Sequence, residues 1–70
     1  MSDERYEYVK AIVEDGELRW EWRLVGSSVR GRLAHDENVT GWSDRDIMTV
    51  TCLMLDVSDD EREVVTIEYR

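Results

Sequence analysis

The run Val9-Lys10-Ala11-Ile12-Val13-Glu14-Asp15-Gly16-Glu17-Leu18-Arg19-Trp20-Glu21-Trp22 decides the fold. Asp15-Gly16 stands between two stretches in which apolar and polar residues alternate, and Asp-Gly can supply the two positive φ angles of a two-residue type I′ turn. A hairpin closed by that turn has one register. Val13 falls opposite Leu18, Ala11 opposite Trp20, Val9 opposite Trp22 and Glu7 opposite Leu24, which makes one face apolar. The other face pairs Ile12 with Arg19, Lys10 with Glu21, Tyr8 with Arg23 and Tyr6 with Val25. Slipping the strands by one residue would bury Arg19 and Arg23 and expose both tryptophans, so the register is specified from both sides.

Outward from the hairpin, Gly26-Ser27 reads as a second tight turn with Gly26 in the first central place of type II′. It leads to a third strand over residues 28–34. There Val29 lies opposite Leu24, Gly31 opposite Trp22 and Leu33 opposite Trp20, with Gly31 leaving room for the Trp22 ring. Residues 35–41 are a polar loop. Ser43 and Asp46 form a capping box ahead of Ile47, Val50, Leu53, Met54 and Val57, an apolar stripe at helical spacing. Thr49, Val50 and Thr51 are β-branched and also fit a strand, but the cap and the crossover length favour a helix. Residues 57–61 end it, and residues 62–69 alternate again as a last strand, Val65, Ile67 and Tyr69 on one side. The chain thus predicts one α+β domain over residues 1–70, β-β-β-α-β. It is an antiparallel meander with one helix on one sheet face and the last strand parallel beside the first.

Seventy residues allow one small core and exclude large enzymes. Seventeen Asp and Glu against nine Lys and Arg leave a net charge of -8, which disfavours non-specific nucleic-acid binding by the whole molecule. The cations are eight arginines and Lys10, a bias that a GC-rich genome or a salt-adapted proteome produces equally well. A single cysteine excludes an internal disulfide framework and multi-cysteine metal sites. The longest uncharged stretch, residues 47–55, is far short of a membrane span. The first residues have neither the basic start nor the apolar run of a signal peptide, so a cytoplasmic protein is expected.

Catalytic chemistry is poorly provided for. His35 and Cys52 are the only residues of their kinds and fall on different elements, no phosphate-binding glycine motif occurs, and His35-Asp36-Glu37 makes a poor metal site. No catalytic residue, metal or cofactor is expected. The charge is unevenly spread instead. Lys10, Arg19, Arg23, Arg30 and Arg32 join Tyr6, Tyr8 and Ile12 on the face away from the helix, against Glu14, Glu17 and Glu21. Most of the remaining acids gather in loops and helix ends. Two candidate surfaces follow. Asp56, Asp59, Asp60, Glu61 and Glu63, with Asp44 and Asp46, form an acidic surface able to imitate nucleic-acid phosphates toward a protein that binds them. Tyr6, Tyr8, Arg23, Arg30 and Arg32 form a basic, tyrosine-bearing face of the kind that stacks single-stranded bases or carries a homodimer contact.

The segment Arg19-Trp20-Glu21-Trp22-Arg23-Leu24-Val25, followed by a turn, a short strand and Gly41-Trp42-Ser43 opening a helix, resembles the small YegP-like domains of unknown function. The likeness spans residues 8–57 and implies no catalytic residues. The Thr- and Met-rich helix and the final acidic turn and strand depart from that pattern. Size, acidity and missing chemistry are similar to those of phage anti-defence proteins of the anti-CRISPR type, a likeness of composition. The expectation is a non-enzymatic acidic protein-binding module, an inhibitor of a nucleic-acid-binding partner. The alternatives are a nucleic-acid-binding or self-associating module that uses the basic sheet face, and a salt-adapted small domain.

Overall fold

The computed structural model describes residues 5–70. Its elements are β1 (Tyr6–Glu14), β2 (Glu17–Leu24), β3 (Arg30–Ala34), α1 (Asp44–Leu55), a short 3-10 helix (Asp59–Val64) and β4 (Val65–Tyr69). The sheet order is β3-β2-β1-β4, with β4 parallel to β1 and the other pairs antiparallel. The architecture is the expected α+β arrangement. No helix among the described residues is long and apolar enough to cross a membrane.

The first turn forms as its residues require, Asp15 at φ 53 and Gly16 at φ 76, both in the left-handed region of a type I′ turn. From Val13 opposite Leu18 to Tyr8 opposite Arg23 the register is the expected one. Beyond Tyr8 it shifts. A β-bulge places Tyr6, not Glu7, opposite Leu24, and the Val25 N–H then donates to the Arg5 carbonyl at 2.8 Å. One extra residue in a strand exchanges the faces of everything beyond it. Tyr6 therefore packs on the helix-side core and donates its hydroxyl to the Leu55 carbonyl, while Glu7 moves to the opposite face and ion-pairs with Arg23.

The second turn also differs from expectation. Ser27 N–H closes it on the Leu24 carbonyl, so Val25 and Gly26 are its central residues and the positive φ of Gly26, 81, falls in the second central place. That is where a type II turn needs it. The third strand accordingly begins at Arg30, two residues late, with Gly31 opposite Trp22 and Leu33 opposite Trp20 as expected. The last strand is shortened in the same way, because residues 62–64 wind into the 3-10 helix instead of extending.

The core comprises Val9, Ala11, Leu18, Trp20, Val39, Ile47, Leu55, Val57 and Val65. The helix begins at the Ser43–Asp46 capping box, with a 3.2 Å bond in each direction, and ends at Asp56 in the left-handed conformation. Its buried line is Ile47, Thr51 and Leu55, a strict i, i+4, i+8 row; of the expected stripe Ile47 and Val57 are buried and Val50 packs against the core. Leu53 and Met54 are 76% and 51% exposed. The reason is a polar lock, since the buried Trp20 indole N–H donates to Thr51 Oγ1 at 2.8 Å and that hydroxyl donates to the Ile47 carbonyl at 2.7 Å. A buried indole N–H needs an acceptor. Satisfying it turns Thr51 inward and rotates Leu53 out.

Ile12 corrects a second burial expectation. It lies on the face away from the helix yet is fully buried, flanked in the sheet by Arg19 and Glu68. Those long side chains are placed to cover it with their aliphatic stems.

Candidate functional site

Two surfaces carry the residues of interest, and the structure treats them differently. On the open sheet face the cations Lys10, Arg19, Arg23, Arg30, Arg32 and Arg70 meet Glu7, Glu14, Glu17, Glu21 and Glu68, so on the strands of the described residues and at Arg70 six cations face five carboxylates. The bulge that delivered Glu7 and the edge strand that delivered Glu68 narrowed the expected excess. Three of the arginines are ion-paired: Arg19 with Glu14 at 3.1 Å, Arg23 with Glu7, and Arg70 with Glu68. Tyr8 is occupied as well. Lys10 and Arg23 lie 5.5 and 6.0 Å from its ring centroid, in the range of cation–π contacts. With Tyr6 withdrawn to the other face, the aromatic platform is reduced to one ring that two cations already approach. Arg30 and Arg32 remain exposed at β3, and Arg30 stands opposite Arg23 with no ion pair of its own among the described residues.

The acidic candidates divide into structural and free groups. Asp46 belongs to the helix cap, and Asp44 accepts the Tyr69 hydroxyl. Glu61 accepts the Tyr6 backbone N–H at 2.9 Å, and the Ser58 hydroxyl lies within donating distance of Asp60 (2.6 Å) and Glu61 (2.8 Å). The Tyr6 N–H, then the Ser58 hydroxyl, hold the Glu61 carboxyl below its ordinary value of 4.5. The Ser58 hydroxyl does most to hold Asp60 below 3.8. Asp59 has Arg62 at 4.0 Å, and Asp56 sits on the helix C-terminus. Of the seven acids, Asp56, Asp59 and Glu63 are left most available to a partner.

The lowered carboxylates have a consequence for stability. Each contributes most where it is ionised in the folded and unfolded states alike, and that contribution is lost as pH falls through the unfolded and then the folded value. Urea unfolding followed by circular dichroism should therefore show a falling midpoint below about pH 4.5, the ordinary glutamate value. Glu61→Gln should flatten part of that fall. Tyr69 acts at the other extreme. Its bond to Asp44 raises its pKa above 10.0, so this contact contributes below that pH and is lost above it.

A third surface was not legible in the sequence. Trp42 packs edge-on to His35 (5.8 Å between centroids), which packs edge-on to Trp20 (5.5 Å), so the indole just ahead of α1 lies on the side of β2. Trp42, Asp46, Thr49, Val50 and Leu53 line an open depression of about 300 Å³. Leu53 is its most exposed apolar wall. The His35 ring nitrogens are both shielded from solvent and have no hydrogen-bond partner among the described residues. No group of three or more metal-ligating side chains occurs among the described residues. No protein-family model, curated protein or solved structure matches this chain.

Proposed function

We propose that this protein is a non-enzymatic binding module that docks a basic partner protein on the outer flank of α1 and, where that partner grips nucleic acid, occupies its binding surface. The observation that carries the reading is the exposure of Leu53 in the depression formed with Trp42, Val50 and Thr49. A fully folded helix presents a large apolar residue beside a half-buried tryptophan, with Asp46 in the wall and Asp56 three residues beyond Leu53. Apolar anchors inside a charged rim are how protein interfaces concentrate their affinity. The net charge of -8 steers a cationic partner toward that rim. The alternative, nucleic acid on the sheet face, is left with Arg30 and Arg32 and little aromatic surface.

The test uses the tagged protein and the Leu53→Ser and Asp56→Lys variants, each checked for folding by circular dichroism, in affinity capture from the source organism at two salt concentrations. The expected outcome is a basic protein retained at low salt, lost at least tenfold with Leu53→Ser and weakened with Asp56→Lys. Retention of the same proteins by all three chains would sink the reading. Binding of single-stranded oligonucleotide that disappears with Arg30→Glu would favour the sheet face instead.

A further inference from the structure

The two edges of the sheet are guarded unequally. β3 presents Arg30 and Arg32, and a second β3 laid antiparallel about its middle residue would set Arg32 on Arg32. Like charges directly opposite are destabilising, and charged edges are what stop sheets from extending. β4 reads Val65-Thr66-Ile67-Glu68-Tyr69, with no lysine, arginine or proline. Its backbone polarity follows from its pairing with β1. Arg70 N–H donates to the Val13 carbonyl at 2.8 Å, so by alternation Glu68 and Thr66 also turn their N–H and C=O toward β1. The Ile67 and Tyr69 groups, with the Val65 carbonyl, then point outward. Val65 N–H is already bonded to the Arg62 carbonyl. Among the described residues no strand pairs with this outer edge.

We propose that this edge is a two-fold interface in which β4 of a second copy pairs antiparallel with β4 about Ile67. Ile67 then exchanges both backbone hydrogen bonds with its counterpart. Tyr69 N–H donates to the second copy's Val65 carbonyl, and the symmetry repeats that bond. The side chains match in the same register. Val65 meets Tyr69 and Ile67 meets Ile67 on the helix side, while Thr66 meets Glu68 on the open side, and no like charges are opposed. Tyr69 is 56% exposed, and Ile67 is only half-buried, so apolar surface is available to cover. The axis stands perpendicular to the sheet, which closes the assembly at eight strands with both helices on one face. Trp42 reaches through His35 to Trp20 of β2, which is separated from β4 by β1, so the surface is independent of the docking site proposed above. Two molecules of charge -8 repel one another, so screening strengthens the pairing.

The test is sedimentation velocity from micromolar to millimolar protein, at low and high salt, with Thr66→Glu and Thr66→Lys. Thr66 is exposed, and circular dichroism checks that both variants fold. The dimer should grow with concentration and with salt. Thr66→Glu, which sets two glutamates opposite Glu68 across the axis, should weaken it roughly fivefold, and Thr66→Lys should tighten it by a similar factor. Amide hydrogen exchange supplies the positional readout. Ile67 and Tyr69 should gain protection only as the dimer forms, whereas Thr66, Glu68 and Arg70 should be protected throughout by β1. A monomer at millimolar concentration in high salt overturns the proposal. So does a dimer indifferent to Thr66, or one in which the Ile67 and Tyr69 amides stay fast.

Discussion

Trp20→Ala should remove a substantial part or all of the stability of the fold. Trp20 is fully buried and is the largest of the fully buried side chains. Truncating a core tryptophan costs about 3–5 kcal/mol. A chain of 70 residues has a total stability of roughly 4–10 kcal/mol at the usual 0.05–0.15 kcal/mol per residue, so a substantial part or all of it disappears. The same site offers a subtler measurement. Thr51→Val preserves shape but strands the indole N–H in the core, at a cost of about 1–3 kcal/mol. In a Trp20→Phe background there is no indole N–H to strand, and the cost of Thr51→Val should shrink markedly. Urea unfolding of the four chains gives the coupling directly. Additive effects would mean that the hydroxyl does not hold the indole.

Gly31→Val is expected to be the next most damaging change, at about 1–3 kcal/mol. On propensity alone it should help, since valine suits a strand better than glycine does. The obstacle is local, because any Cβ at position 31 would overlap the Trp22 indole ring lying across the backbone. The ring must then leave a site where it packs against the core. Combining Gly31→Val with Trp22→Ala tests this account by sign, since without the ring the valine should become neutral or stabilising. If the penalty persists in the double variant, the glycine is required for a reason other than space.

Much of this architecture was legible because it rests on local chemistry. Asp15-Gly16 specified a turn, the turn specified a register, and the register placed Trp20 and Trp22 on the face that the Ser43–Asp46 helix covers. What escaped prediction depended on contacts between distant segments. Leu53 and Met54 have perfect helical spacing for a core, but spacing cannot distinguish an apolar stripe from one rotated by a threonine that serves a tryptophan thirty-one residues away in the chain. The exchange of Tyr6 and Glu7 arises from a bulge with no proline or glycine to announce it. The candidate sites inherited both errors, since the sheet face lost a tyrosine and gained a glutamate. The depression at Trp42 became visible only when the helix had been oriented.

The bulge at Tyr6 also bears on the order in which the molecule assembles. Once turned inward, Tyr6 is held by the Leu55 carbonyl and by Glu61, partners 49 and 55 residues away. The β1–β2 hairpin, by contrast, closes across two residues. Hairpins form in microseconds, whereas contacts of large sequence separation must first meet the entropy of closing long loops. The far end of β1 and its pairing with β4 therefore belong to the last and slowest stage of folding. A substitution at Tyr6 should accelerate unfolding while leaving the refolding rate almost untouched.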